Sequence, residues 1–451
     1  MKASIVTLLA LTGAALGANQ MAMDRLVSIK TSQRASQRER GMFRSQAYPS
    51  KKNVPCVDGM AGEYACENVD LMAFLSHEDM GSVEREGNDI WGWTSPDGRE
   101  FGVIGQSDGT AFVEVKADGS LDYVGRLAVQ TDSSIWRDMK VIDGYAYIGS
   151  EADDYGMQVF DMRKLLNISS FEKPKAFALR DLTAHFSEFG NSHNIVSHEE
   201  TNMIYAVGTN RNGPCAGGLF MVDVSDPANP VSPGCASDDG YVHDAQCVIY
   251  SGPDSEYEGH EICFGYNEDT FTIYDVTDKS SPVTISSTPY EGAAYTHQGW
   301  LVDTANMQYL LLDDELDEMD QVGPAADGNT TTYIWDISSL ASPVNTGLYF
   351  SPVHSIDHNQ YVVSGLSYQA NYGSGLRIVD VSSVAEDPTG AGFSQVGFFD
   401  AHPEDDAIGG EVEFVGTWGV YPFFSSGYIL LNSIERGVYS LKYTGGSAYA
   451  Q

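Results

Sequence analysis

The sequence predicts an all-β protein, a seven-bladed β-propeller closed by an N-terminal strand. A short apolar strand recurs about every 45–60 residues, and each copy belongs to a unit of four predicted strands. The chain also has 46 glycines and 25 tyrosines, a composition that favours strands and tight turns. The recurring strands lie at 111–115, 157–161, 219–224, 271–276, 333–337, 376–381 and 438–441.

The two ends of the repeat predict how the ring closes. The last unit begins at Trp418 and supplies three strands, whereas residues 69–75 form a strand with no unit before it. We expect Leu71 to Leu75 to pair with the strand around Tyr439, because ring closure removes two exposed sheet edges together.

Five of the recurring strands end in an aspartate that precedes a turn. We interpret these carboxylates as acceptors of backbone N–H groups in the turn, and not as catalytic groups. They are Asp161, Asp223, Asp275, Asp336 and Asp380.

The N-terminal region is predicted to carry an export signal. Lys2, an apolar run at 5–11 and small residues up to Ala18 are typical of a cleaved secretory signal peptide, which we assign to residues 1–18. Residues 19–55 are basic and lack apolar periodicity, so we interpret them as a disordered linker or a propeptide that cleavage after Lys51-Lys52 could remove.

A single propeller domain is then expected over residues 56–445, followed by a flexible tail at 446–451. No stretch after the signal peptide is long and apolar enough for a transmembrane span. The C-terminal residues have no hydrophobic tail of the kind a lipid anchor signal needs, so surface attachment is not supported. We therefore expect a secreted, extracellular protein.

Cysteine usage agrees with export. The six cysteines fall into neighbouring pairs, and of the 15 possible pairings we favour the three local ones. No Cys-x-x-Cys spacing exists, which argues against a thiolate zinc site. Asn167 and Asn329 begin sequons that could be glycosylated in a eukaryotic secretory pathway. The favoured disulfides are Cys56–Cys66, Cys215–Cys235 and Cys247–Cys263.

The charge excludes one class of function. With 25 Lys and Arg against 63 Asp and Glu, the net charge is -38, and binding to nucleic acid phosphates would be repulsive.

Several motifs resemble those of known secreted proteins. The runs at 220–225 and 377–382 look like LVIVD repeats of surface proteins. The combined motifs resemble the choice-of-anchor B family over residues 69–443, which implies a secreted propeller and brings no established reaction with it. These motifs lie at 192–195, 243–245, 296–300, 311–317, 368–372 and 433–437.

Four histidines occupy one position in four consecutive units. Because the first strand of each blade lines the central channel, we expect their imidazoles to form an arc on one face of the ring. Imidazoles near carboxylates suit Zn²⁺, Mn²⁺ or Fe²⁺, whereas carboxylates with Asn and water could instead hold Ca²⁺. A metal-free ligand pocket and purely structural hydrogen bonding are the alternatives. The four are His193, His243, His297 and His358.

Other polar residues are expected around this arc. Three carboxylates in the turns after the second strands, Glu151, Asp314 and Glu435, could orient the imidazoles. Six histidines outside the register are interpreted as surface or turn residues: His77, His185, His198, His260, His354 and His402. The first-strand positions equivalent or adjacent to the histidines contain Asp89, Arg137, Asp138, Asn194, Asp244, Gln298, Asn359 and Trp418.

Two classes of function follow. The first is a secreted binding or interaction propeller that recognises an extracellular protein, a glycan or a small molecule at the channel mouth. The second is a metal-dependent extracellular enzyme, a hydrolase or an oxidase, centred on the histidines. No nucleophile elbow, phosphate-binding loop or dinucleotide fingerprint is present, and we assign no catalytic residue.

Overall fold

The computed structural model describes residues 4–44 and 48–446, and for residues 4–21 it describes only the course of the backbone. The described residues form seven β-sheets, together with one long helix, α1 (Ser4–Arg40). Four strands precede the first complete blade: β1 (Lys51–Val54), β2 (Met60–Ala61), β3 (Tyr64–Glu67) and β4 (Val69–Ser76).

The first four blades follow one another along the chain. Blade 1 contains β5 (Gly87–Thr94), β6 (Glu100–Gln106), β7 (Gly109–Val115) and β8 (Leu121–Ala128). Blade 2 contains β9 (Arg137–Ile142), β10 (Tyr145–Ser150) and β11 (Met157–Asp161). The next strand, β12 (Lys175–Phe177), pairs in parallel with β8, and β13 (Ala184–Phe186) completes blade 2. Blade 3 contains β14 (Asn194–His198), β15 (Met203–Val207), β16 (Leu219–Asp223) and β17 (Val231–Ala236). Blade 4 contains β18 (Asp244–Ile249), β19 (Glu261–Tyr266), β20 (Phe271–Asp275) and β21 (Val283–Thr288).

The last three blades include a short helix and the early strands. Blade 5 contains β22 (Thr296–Leu301), β23 (Tyr309–Asp314), the helix α2 (Asp317–Asp320), β24 (Asn329–Asp336) and β25 (Val344–His354). Blade 6 contains β26 (Gln360–Val363), β27 (Leu366–Ala370), β28 (Leu376–Asp380) and β29 (Ser394–Phe399), and β3 and β2 extend its outer edge. Blade 7 contains β30 (Thr417–Tyr421), β31 (Tyr428–Ser433) and β32 (Gly437–Tyr443), followed by β4 and β1.

The predicted closure of the ring is confirmed. Strand β4 pairs antiparallel with β32, with Phe74 opposite Tyr439 and Leu71 opposite Leu441. The chain therefore completes its last blade with a strand from its N-terminal part, and the sheet edges that an open ring would expose are paired.

Local chemistry explains why the hairpins form where they do. Asp143 and Gly144 both have positive φ, at 46° and 76°, in the two-residue turn between β9 and β10, which is the backbone conformation that such hairpins require. The aspartates that end the third strands accept backbone N–H groups two residues later, as predicted. Their partners are Arg163 for Asp161, Ser225 for Asp223, Thr277 for Asp275, Ser338 for Asp336 and Ser382 for Asp380.

The core lies between neighbouring blades. Every residue of β6 is buried, because both faces of that strand pack against other sheets. Phe112 of blade 1 stacks on Phe160 of blade 2 with ring centroids 4.9 Å apart, an example of the contact that holds adjacent blades together.

The three predicted disulfides are present. They join Cys56 to Cys66, Cys215 to Cys235 and Cys247 to Cys263, and they fit a protein from an oxidising compartment. Among the described residues, no helix is both long and apolar enough to cross a lipid bilayer.

The described residues of the segment 19–55 are not disordered as predicted, because α1 extends to Arg40 and β1 begins at Lys51. Removal of this segment as a propeptide stays a prediction. Cleavage of residues 1–18 stays a prediction, and the predicted tail lies outside the described residues after residue 446. Of the two sequon asparagines, Asn167 is exposed in a loop and Asn329 is half-buried at the start of β24.

Candidate functional site

The structure brings the four register histidines together at one mouth of the channel. Three successive ring pairs, from His193 through His243 and His297 to His358, each have centroids 4.3 Å apart. All four side chains are buried. They form the arc that their register predicts, because each stands at or next to the start of the first strand of its blade. We call these four residues the histidine arc.

Hydrogen bonds at Nδ1 hold each imidazole of the arc. His243 Nδ1 lies 2.7 Å from the carbonyl oxygen of His297, and His358 Nδ1 lies 2.5 Å from the carbonyl oxygen of Trp418. A carbonyl oxygen only accepts hydrogen bonds, so in both rings Nδ1 carries the proton and Nε2 carries a lone pair. His243 Nε2 is buried and has no hydrogen-bond partner among the described residues.

Carboxylates hold the other two rings of the arc. His297 Nδ1 lies 2.9 Å from Asp313 Oδ1, and His193 Nδ1 lies 2.5 Å from Glu151 Oε1. A carboxylate behind an imidazole is the usual support of a metal-binding histidine, because it fixes the ring and makes the opposite nitrogen a better ligand.

Three of the imidazoles in the arc are held in the neutral form. Burial, followed by the neighbouring imidazoles, lowers the pKa of His243 and His297 well below the ordinary value. Burial lowers the pKa of His358 to about 3, against an opposing effect of Glu315. Neutral imidazole is the form that binds metals, so these three rings need not lose a proton first.

Glu315 is the carboxylate that faces the arc. Its side chain is fully buried, and its Oε1 accepts hydrogen bonds from Lys30 Nζ at 2.6 Å and from the Tyr372 hydroxyl at 2.5 Å. Burial opposes ionisation, yet the Lys30 ammonium holds the pKa of Glu315 below its usual range. Glu315 Oε2 has no partner within the described part of the chain.

Three potential metal ligands lie close together in this cluster. One nitrogen each from His243 and His297 and one oxygen of Glu315 lie within 4.8 Å of one another. His193 and His358 are not members of this group, so the arc does not gather all four imidazoles around one point. The reason is that a seven-bladed ring spreads successive first strands along the channel wall.

Helix α1 covers this mouth of the channel. Its inward face presents residues spaced by three or four positions, as expected for one side of a helix. Leu26 is fully buried, and Met23 Sδ accepts a hydrogen bond from Tyr295 at 3.0 Å. Arg34 pairs with Glu86 at 2.7 Å, so the helix is held by ion pairs as well as apolar contacts.

Lys30 brings a positive charge into the site from the middle of α1. Its side chain is 1% exposed, and its ammonium lies 4.8 Å from the ring centroid of Phe414 and 5.0 Å from that of Trp418. Burial lowers the pKa of Lys30, while Glu315 opposes that shift. The ammonium therefore neutralises the same carboxylate that belongs to the group of three potential ligands.

The predicted residues next to the histidines form a second layer, deeper in the channel. Asp138 pairs with Lys140 at 2.7 Å, and Asn359 donates to Asp89 at 3.2 Å. Burial raises the pKa of Asp244 to about 7. Asn194 donates to the carbonyl oxygen of His243 at 3.2 Å, and Gln298 accepts from the backbone of Gln360 at 3.1 Å. The Asp138–Lys140 pair lies within β9, whereas the contacts of Asn359, Asn194 and Gln298 cross from one blade to another and stabilise the channel wall.

Beyond this layer the channel opens into a cavity of about 1090 Å³ on the opposite face. Asp244 and Gln298 border it, and much of its wall is aromatic, including Trp91, Trp300 and Tyr361. The predicted polar residues therefore do not form one pocket with the histidine arc, since they separate the arc from this cavity.

Three predicted pocket residues do not contact the arc. Arg137 donates to the carbonyl oxygen of Gln106 and to Tyr155, because its side chain turns between blades 1 and 2. Asp314 accepts backbone N–H groups of the loop before β22, the nearest being Tyr295 at 2.7 Å. Glu435 lies 3.0 Å from His402, where burial opposes protonation but Glu435 and Glu404 raise the pKa of His402 to about 9.

Trp418 does reach the site, since its ring lies 5.2 Å from that of His358. For the turn after β23, sequence reasoning favoured Asp314, whereas the structure places its neighbour Glu315 at the arc. Among the histidines outside the register, His198 differs from the prediction, because it is a buried, hydrogen-bonded residue at the end of β14. His77 lies in a turn and His402 in a loop, but both are buried and hydrogen-bonded.

Comparisons with known proteins support the repeat and the fold. A family model described as "LVIVD repeat" matches residues 215–234, in blade 3. No curated protein matches this chain. A solved chain described as "COPII on membranes, outer coat vertex" is similar with a TM-score of 0.52 and 11% identity, over 81% of this chain and 86% of that one. Another, from "The structure of the COPII coat assembled on membranes", has the same TM-score and identity over 81% of this chain and 48% of its own. At this identity the likeness concerns the propeller fold alone, and membership of the choice-of-anchor B family stays a prediction.

Proposed function

We propose that this chain is a secreted propeller that binds a divalent transition-metal ion at the histidine arc, and that helix α1 is an internal plug over that site. The observation that carries the proposal is the Lys30–Glu315 pair. Lys30 Nζ lies 2.6 Å from Glu315 Oε1, and both side chains are buried beside the imidazoles. The ammonium group of Lys30 thus occupies the position in which a bound metal ion would contact the Glu315 carboxylate.

The donor set favours a transition metal over calcium. Two neutral imidazole nitrogens and one carboxylate oxygen are ligands typical of Zn²⁺, Mn²⁺ or Fe²⁺, whereas Ca²⁺ prefers oxygen ligands throughout. His243, His297 and Glu315 would hold the ion. The carboxylate of Asp313 behind His297 supports this role, since it orients that ring.

Release of α1 would uncover the site. An ion and Lys30 compete for one carboxylate, so tight binding requires Lys30 to leave. The helix is followed by a turn in which Arg44 is exposed, whereas Lys51 and Lys52 lie in β1, paired with β4. Proteolysis after Arg44 therefore needs less unfolding than proteolysis at the dibasic pair.

The experiment measures metal binding before and after plug release. A specific protease site is inserted after Arg44 of the full chain, and Zn²⁺ binding is followed by titration calorimetry before and after the cut. We expect affinity to rise at least tenfold on release, and binding to disappear in the double variant His243→Ala, His297→Ala. The matched control is His260→Ala, a half-exposed histidine outside the arc, which should bind as the unchanged protein does. Equal affinity before and after release, or in the double variant, would overturn the proposal.

A metal-dependent enzyme is the second candidate. It is favoured by the number of ligands, because three protein ligands are typical of catalytic zinc sites, which keep one coordination position open. A zinc-loaded, plug-free protein that hydrolyses chromogenic esters, with the activity lost in the double histidine variant, would favour the enzyme. Stoichiometric zinc with no turnover would favour the binding protein.

A further inference from the structure

A second cluster of acidic side chains lies behind the histidine arc, between blades 5 and 6. Asp317 and Glu318 begin helix α2, in the connection between β23 and β24. Asp357 lies in the connection from β25 to β26. All three side chains are buried, and one carboxylate oxygen of each lies within 4.8 Å of the other two.

Most of the oxygens in this cluster lack a partner. Both carboxylate oxygens of Asp357, Asp317 Oδ1 and Glu318 Oε2 are buried without a hydrogen bond among the described residues. No lysine, arginine or histidine of the described chain forms an ion pair with any of the three. The other contacts include the Tyr333 hydroxyl on Asp317 at 2.7 Å, the Thr331 N–H on Glu318 at 3.0 Å and a hydrogen bond between the Asp317 and Glu318 side chains. Buried carboxylates without compensation are costly, so the arrangement requires a positive partner.

We infer that Asp317, Glu318 and Asp357 form a calcium site that ties blade 5 to blade 6. Ca²⁺ takes about six to eight oxygen ligands and accepts several carboxylates in flexible geometry, whereas Mg²⁺ usually keeps several waters and binds only one or two carboxylates. Three buried carboxylates gathered in one group therefore fit Ca²⁺ better than Mg²⁺. An all-oxygen donor set is also less suited to Zn²⁺ than the imidazoles of the histidine arc are.

The electrostatics of the cluster agree with this assignment. Burial, followed by repulsion from neighbouring carboxylates, raises the pKa of all three acids well above the ordinary value. A bound divalent cation would offset the repulsion between the carboxylates and stabilise their ionised form. Without a bound cation, the carboxyl groups must take up protons. A protonated, metal-free cluster is therefore the alternative that the experiment tests.

The position of the site gives it a structural consequence. Glu315 precedes Asp317 by two residues, and His358 directly follows Asp357. A calcium ion at this position would fix the two chain segments that carry Glu315 and His358 beside the histidine arc. This inference does not depend on the proposed function, because the calcium ligands and the transition-metal ligands are different residues.

The test uses the full chain, dialysed against a chelator and then given CaCl₂ alone at neutral pH. At about 100-fold excess over the dissociation constant we expect the melting temperature to rise by about 3–6 °C. Asp357→Asn should abolish the rise, and in the chelator it should be no less stable than the unchanged protein, since it removes one repelling charge. The matched control is Asp400→Asn, a buried carboxylate that has Arg377 as its partner at 3.4 Å and should keep the calcium response.

A second measurement needs no variant. Terbium replaces calcium in oxygen sites and emits when a nearby tyrosine transfers energy to it, and the Tyr333 hydroxyl contacts Asp317 directly. We expect terbium emission that Ca²⁺ displaces and that persists in the double variant His243→Ala, His297→Ala. Absence of both the melting shift and calcium-displaceable emission would overturn the inference, as would an unchanged shift in Asp357→Asn. The first result would mean that the acids are held neutral by shared protons.

Discussion

Replacing Lys30 by methionine tests how strongly α1 is held over the histidine arc. Methionine keeps most of the apolar contact with Phe414 and Trp418 but leaves Glu315 with no cation in a fully buried position. Removing one partner of a buried ion pair costs about 3–5 kcal/mol, because the other charge stays desolvated and uncompensated. We expect that loss in the free energy that docks the helix onto the propeller.

The measurement is hydrogen exchange of the helix amides in chelator, since most of the stability of a helix in a protein comes from its tertiary packing. A loss of about 3–5 kcal/mol corresponds to exchange about 10²–10⁴ times faster. Adding Glu315→Gln to Lys30→Met should restore most of the protection, because the buried charge is then gone. The control is Arg25→Met, which breaks the exposed pair with Asp320 and should cost about 0–1 kcal/mol.

The reasoning would be refuted if Lys30→Met changed exchange no more than Arg25→Met does. Additive losses in the double variant would also refute it, because they would show that the two charges do not depend on each other.

Three further predictions concern the rest of the ring. The pKa of His402 is raised to about 9 in the folded protein, so its contribution is present below about pH 6.5 and is lost as the pH rises through 9; His402→Gln should flatten the fall in stability over that range, measured by urea unfolding. Leu71→Ala in the closing strand should cost about 2–5 kcal/mol in the same assay, whereas the half-buried neighbour Met72→Ala should cost less. Replacing both Cys247 and Cys263 by serine should cost about 3 kcal/mol, since the bridge closes a short loop.

For each of these three predictions, one result would contradict the reasoning. An unchanged pH slope in His402→Gln would mean that another group titrates. Equal costs at positions 71 and 72 would mean that β4 does not hold the ring closed. Stability that does not respond to loss of the bridge would mean that blade 4 needs no crosslink.

Several features of the site were within reach of sequence reasoning and others were not. The arc could be predicted because each blade repeats the same hairpins, so a residue at one register position returns to one place on the axis. Glu315 was favoured less than Asp314, because a bend after β23 decides which of two adjacent carboxylates turns inward. Glu435 was also predicted to orient the imidazoles, but it pairs with the neighbouring His402 instead.

A search for apolar periodicity does not predict that α1 packs over the channel mouth. The face of α1 that meets the propeller combines Met23, Leu26, Lys30, Arg34 and Gln37, and only two of these are apolar. A basic helical face gains its stabilisation from carboxylates on another part of the chain, such as Glu86 and Glu315, so it has no signature of its own.

The sequence by itself determined the class of fold, the seven repeats, the closing strand and the register of the histidines, and it favoured the disulfide pairing that the structure has. These features follow from interactions between residues that are near in sequence or from the regular period of the repeat. Both can be recognised in a single sequence. Only the tertiary structure decided which carboxylates meet the imidazoles, that Lys30 lies beside them, and that Asp357 joins Asp317 and Glu318. Such contacts join segments far apart in the chain, and their partners are selected by burial and charge compensation, which depend on the whole ring.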